Sequence, residues 1–304
     1  MNGLTLFIQQ LINGLRTGSV YALVALGYTM VYGIIRLINF AHGDFIMVGG
    51  FTLFFTVPVM ISIGMPPWMA VLAAVVVCAL TGVLVEKLAY SPVRKRGTKM
   101  STLITAIAMS LFLENLAQTL FGANPKTMKT TLFKIPDVFG LNGNMLLTIL
   151  IGLIVMVALS LFVKRTKSGQ AMLAVSEDKE AATLMGINVN STISLTFAIG
   201  AGLAGIASLM YTAQYNSVTI AMGYMLGLKA FVAAVLGGIG VIPGAMLGGM
   251  VIGIVESLSK AYIKPLTGGI LTSAFSDAVV FAILIIVLLV KPAGILGKNV
   301  GEKV

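Results

Sequence analysis

Four charged residues fall inside or at the edge of long apolar runs: Glu114, Lys229, Glu256 and Asp277. A charge at membrane depth is costly unless it is paired or wetted. The span boundaries given below place all four at a similar level in the outer half of the membrane. That shared level suits ion pairs between helices, snorkelling to the interface, or a wet outer vestibule, with Glu114 and Lys229 one candidate pair. A second polar group, Asn39, His42 and Asp44, lies where the first apolar run turns. Asn39 or Asp44 could cap the following helix, and a proton relay between His42 and Asp44 is the sharper reading. His42 is the sole histidine, so no multi-histidine metal site can form, and neither metal nor cofactor is expected. The chain has no Gly-x-x-x-x-Gly-Lys-Ser/Thr phosphate loop, no Gly-x-Ser-x-Gly elbow and no His-Glu-x-x-His pair. Neither ATP hydrolysis nor nucleophilic catalysis is expected of it, and it is not read as an enzyme. The single cysteine, Cys78, lies in an apolar run and excludes an internal disulfide.

The segment Ser176 to Asn188 offers chemistry of another kind. Ser176 can cap a helix, with Glu177 and Asp178 then at the start, where the helix dipole favours negative charge. Ala181, Ala182, Leu184 and Met185 make an apolar stripe, and Gly186 can end the helix in a left-handed conformation. The spacing predicts an amphipathic helix of about ten residues. It suits docking to a partner protein, or lying on lipid headgroups.

The elements that position these residues follow from composition. Of 304 residues, 58% are hydrophobic and 10% charged, against about 25% charged in soluble domains. So little charge cannot cover a water-exposed surface. The chain is read as one transmembrane domain, residues 1–304, an all-α polytopic bundle. Apolar runs predict about nine spans (range eight to ten): 17–37, 43–63, 68–88, 101–121, 143–163, 192–212, 224–241, 244–259 and 276–291. Residues 3–15 read as a surface or half-span segment, and 224–259 as two spans or a re-entrant pair. No removable signal peptide is expected.

Positive residues flank the spans unequally. Arg36, loop 86–99, loop 164–191 and the C-terminus hold 13 of the 20 Lys and Arg residues. Arg16, Lys126, Lys129, Lys134, Lys260 and Lys264 fall on the other side. By the excess of Lys and Arg in cytoplasmic loops, the first set is cytoplasmic and loop 122–142 is outside. The net charge of +10 is therefore topological, and no nucleic-acid partner is expected. Gly27–Gly50 and Gly227–Gly249 are both glycine-interrupted hairpins. Asn39, His42 and Asp44 in the first, and Gly237, Gly238 and Gly240 in the second, are candidates for a translocation path. Gly14-x-x-x-Gly18, Gly244-x-x-x-Gly248 and Gly249-x-x-x-Gly253 are faces that allow close helix packing, within the chain or against a partner.

Several of these stretches are similar to one known family. Glu180-Ala181-Ala182-x-x-x-Gly186 resembles the EAA loop of ABC-importer permeases. The usual Ile-x-Leu-Pro continuation is replaced by Leu195-Thr196-Phe197, which fits the looser loop of branched-chain amino-acid permeases. Gly27-Tyr28-Thr29-Met30-Val31-Tyr32-Gly33, Ile38-Asn39-Phe40-Ala41-His42-Gly43-Asp44 and Val235-Leu236-Gly237-Gly238-Ile239-Gly240 resemble that family's N- and C-terminal signatures, closest to its LivH-type subunit.

The resemblance implies an ABC-importer permease fold and a pore-forming subunit for leucine, isoleucine and valine in a bacterial cytoplasmic (inner) membrane. It implies a second, homologous (LivM-like) permease, two ATPase subunits and an extracytoplasmic binding protein as partners. In that arrangement Glu177 to Gly186 is the ATPase-coupling element. A stand-alone secondary transporter or channel is the competing class, and it would leave the EAA-like loop without a role.

Overall fold

The computed structural model describes residues 3–297 apart from 131, 134 and 138–141. Lys134, Lys298 and Lys303, and the side chains of Lys95, Arg96 and Lys99, lie outside the described set. Among the described residues the fold is helical throughout. Its sole sheet is one antiparallel pair, β1 (Lys126–Thr127) with β2 (Ser217–Val218).

The first helix corrects the sequence reading. Residues 3–15 are not a separate surface segment, because α1 runs unbroken over Gly3–Ile35. Its 33 residues make a rod of about 50 Å, longer than a bilayer core needs. It is also the most enclosed span, and its length and burial make it the axis of the bundle. Arg36, at a φ of 57°, ends it. Residues 37–43 then rise alongside α1 before α2 (Asp44–Ser62) begins.

Helix α3 (Ala70–Val85) passes through a wide turn at Glu86–Tyr90 into α4 (Ser91–Arg96), and α5 (Lys99–Phe121) follows. The expected loop 86–99 is therefore mostly helical. The expected loop 164–191 is too: α6 (Gly143–Arg165), α7 (Lys167–Glu177), α8 (Lys179–Leu184) and α9 (Val189–Tyr215) follow one another closely. The chain ends with α10 (Met222–Gly237), α11 (Ile242–Leu266) and α12 (Ser276–Val290). Among the described residues eight helices are long and apolar enough to cross a membrane, α3 counted with its flanking turns and α4 as Pro67–Arg94, and α12 with its leading turn as Ser273–Val290. The ninth expected span, α10, has 16 residues, about 24 Å, and is too short to cross alone.

Glycine builds the interior, since in lipid close backbone approach replaces the drive to bury apolar area. A Cβ on Gly14, Gly18, Gly249 or Gly253 would strike backbone across the α1–α11 contact, and one on Gly244 or Gly248 would strike α10. All three small-residue faces pack within the chain. The outward faces of α3, α5, α6 and α12 carry exposed Leu, Ile and Val, including Leu80, Leu111, Ile154 and Leu289.

Contacts sort the connections into two ends. Arg36 reaches the Ser176 carbonyl at 3.5 Å, and Arg94 reaches Asn190 at 3.1 Å. The amides of Ile295 and Leu296 donate to the carbonyls of Leu236 and Gly237. These join the basic end. The β1–β2 pair ties residues 126–127 to 217–218 at the other.

Candidate functional site

Three of the four expected membrane-depth charges come together; Glu114 does not join them. Lys229 Nζ lies 2.7 Å from Glu256 Oε1 and 2.7 Å from Asp277 Oδ1. Glu256 also accepts from Lys260 at 2.5 Å and from the Tyr21 hydroxyl at 2.5 Å. Two cations and two carboxylates thus balance in a knot joining α1, α10, α11 and α12. The expected Glu114–Lys229 pair does not form, because Glu114 lies on α5, on the other side of α10, beside Asp44. Above the knot a cavity of about 260 Å³ opens toward the β1–β2 end, lined by Thr17, Tyr21, Tyr211, Tyr215, Lys229 and Glu256 among others. Tyr21 and Lys260 were missed in the sequence. Lys260 is readable as the i+4 partner of Glu256, whereas Tyr21 is 235 residues from its carboxylate and gives no local signal.

Asn39, His42 and Asp44 also need correction, because they do not sit at the turn. The rise of residues 37–43 carries His42 up against Gly27 and Gly200. Gly27 is eight residues back from the end of α1, about 12 Å along the axis. Asp44 therefore opens α2 at membrane depth, and α2 overshoots α5, with Phe51 stacked on the last α5 residue, Phe121, at 4.6 Å. Neither expected cap forms. Gly43 is the N-cap of α2, with no side-chain bond, and Asn39 instead accepts from the Tyr90 hydroxyl at 2.6 Å. A His42–Asp44 relay has no support, since the His42 ring contacts Tyr28 and Phe45, and its Nε2 has no partner.

The second hairpin is built differently. Gly238 and Gly240 have φ of 107° and 91° and form a tight turn at the basic end, Gly238 pressed against Ala293 and Gly297 and Gly240 facing Gly33. Gly237 packs on Gly244. The two hairpins have unequal arms, and they meet where Gly43 touches Gly223 and Gly227.

The element expected at 176–188 exists but is shorter and capped elsewhere. Ser176 and Glu177 finish α7, so Ser176 is not the cap. Asp178 is, accepting from the amides of Glu180 at 2.8 Å and Ala181 at 3.0 Å. Helix α8 has six residues, and Gly186 follows it at a φ of 81°, as its left-handed stop requires. The apolar stripe divides: Ala182 is buried against the chain itself, while Leu184 is 88% exposed and Met185 82%. Partial burial, then the neighbouring Arg94 and Arg36, lower the pKa of Lys179 beside the cap. Glu86, not singled out in the sequence, is buried at the same end, accepting from Ser194 at 2.7 Å with Arg94 at 3.6 Å.

Residues 10–288 match the family model of the permease component of branched-chain amino acid transport systems. The chain is 42% identical to the high-affinity branched-chain amino acid transport system permease protein LivH of Escherichia coli (strain K12), covering 98% of each. It is 41% identical, again over 98% of each, to the corresponding BraD of Pseudomonas aeruginosa. The solved PsaBC from Streptococcus pneumoniae in complex with Fab aligns with 92% of the chain and 90% of its own at TM-score 0.45 and 16% identity, too distant to carry an argument.

Proposed function

Because this chain belongs to the permease family of branched-chain amino-acid transport systems, we propose that it imports leucine, isoleucine and valine as one half of a permease pair. The chain is a multi-pass membrane permease of the ABC type and not an enzyme. The observation that carries the substrate reading is the end-to-end likeness at 42% identity over 98% of both chains. A second, LivM-like permease, two ATPase subunits and an extracytoplasmic binding protein complete the importer. The exposed Leu184 and Met185, on a short helix fixed by the Asp178 cap, support α8 as the element that meets an ATPase. ATP binding would draw both ATPases together and shift the permease pair between inward- and outward-open states. The Lys229 knot and the cavity above it mark the outer mouth in this reading.

The test is reconstitution. Vesicles holding this chain, its permease partner and the ATPases should take up leucine only with binding protein outside and ATP inside. Uptake that continues without ATP would sink the importer reading in favour of a stand-alone carrier.

The basic end, with 13 of 20 Lys and Arg residues, is read as cytoplasmic, carrying the C-terminus. In a Cys78→Ser background, Lys129→Cys should label from outside and Glu180→Cys only after the membrane is opened. Labelling of Glu180→Cys from outside would invert the topology. Both positions are exposed.

A further inference from the structure

Asp44 is a buried carboxylate that the fold leaves partly unanswered. It opens α2 at membrane depth, is 1% exposed, and its Oδ2 has no hydrogen-bond partner. The helix dipole favours a negative charge there but fills none of its lone pairs. An intramembrane carboxylate with one oxygen unpartnered and only the Ser110 hydroxyl beside it marks a functional position, because burying it so weakly answered is costly.

Asp44 lines a cavity of about 160 Å³ together with Ser110 and Glu114 of α5 and the rings of Tyr28, Phe40 and Tyr224. Among the described residues no Lys or Arg lines it. Lys229, on the helix that forms one wall, is held by Glu256 and Asp277. Two carboxylates from facing elements thus share a cavity with no cation between them. Three aromatic residues in its wall are of the type that attracts a positive charge. The glycines of the wall, Gly43, Gly223 and Gly227, bring the backbones of α2 and α10 into contact and leave the cavity to the side chains.

We propose that this cavity binds the α-ammonium group of the amino acid in transit, with Asp44 and Glu114 accepting its hydrogen bonds. The proposal rests on the transport reading above and adds the place where the substrate's positive end is met. Ile107 and Leu111 line the same cavity and give the aliphatic side chain an apolar wall.

The test uses the assembled importer in vesicles. Asp44→Asn should cut leucine uptake roughly tenfold or more, the scale of one lost hydrogen bond to a charged group, and Asp44→Glu should recover part of it. A structural role alone would not move the second readout, which leaves Asp44 in place. Ser110→Cys in the Cys78→Ser background should react faster with ethylammonium methanethiosulfonate than with the anionic ethylsulfonate reagent. Leucine supplied during turnover should slow that reaction. Asp44→Asn importers that assemble with their ATPases and take up leucine like the parent would overturn the proposal. So would faster labelling by the anionic reagent, or protection by sodium chloride without leucine, which would assign the cavity to an inorganic cation. A parent complex that imports no leucine would defeat the transport reading first.

Discussion

Lys229→Met should be the most destabilising single substitution in the outer half of the bundle. Lys229 bridges Glu256 and Asp277 at 2.7 Å each, and its side chain is only 9% exposed. Removing it leaves two carboxylates facing a vacated position, and Lys260 answers Glu256 alone. Removing one partner of a buried ion pair typically costs about 3–5 kcal/mol. Glu256→Gln should be milder, because Lys229 keeps Asp277. The double variant should be less damaged than the sum of the two, since each change relieves the charge that the other strands. Glu114→Gln combined with Lys229→Met should be additive, because Glu114 lies with Asp44 instead. Thermal denaturation of the purified complex reads all four variants. Additivity between Lys229→Met and Glu256→Gln would mean that the knot is not a unit in the membrane.

What sequence revealed and what it missed divide along a physical line. Span identity was readable because bilayer thickness fixes how many apolar residues a helix needs, and eight of the nine expected spans are such helices. Membership of the permease family was readable from the glycine- and asparagine-bearing signatures around Ile38–Asp44 and Val235–Gly240. Depth was not. Asn39, His42 and Asp44 looked like a turn because no periodicity distinguishes a loop at the surface from one that re-enters the bundle. The seven residues 37–43 rise inward because the glycines opposite them leave room. Partner choice among buried charges was equally hidden. Lys229 selects Glu256 and Asp277 over Glu114 through helix order around the bundle, a long-range property. The cap of α8 was misplaced by two residues because Ser176 and Asp178 are both good caps, and only the ending of α7 at Glu177 decides between them.

Changing Leu184 and Met185 together to Asp should separate the two readings of α8, and the expected effect is large. These side chains are 88% and 82% exposed on a six-residue helix. They are the only part of the 181–185 apolar stripe, apart from Ala181, that faces away from the chain. Ala182 is the wrong residue for this test, since it is buried and Ala182→Asp would place a charge inside the chain's own packing. Gly186→Ala is a weak test too. A Cβ there meets nothing within 4 Å, so the cost is the left-handed backbone alone, on the order of 1 kcal/mol. Anchors buried at the centre of a protein interface are commonly worth about 2–4 kcal/mol each. Charging both should therefore weaken ATPase association roughly hundredfold or more, and leucine uptake should fall with it. The spans are untouched, so insertion should be normal. Co-purification of the ATPases with the double variant, measured beside leucine uptake in the same vesicles, decides the matter. Were the ATPases to remain bound and uptake to persist, α8 would be a helix resting on lipid headgroups, and the ATPase contact would have to lie elsewhere on the basic end.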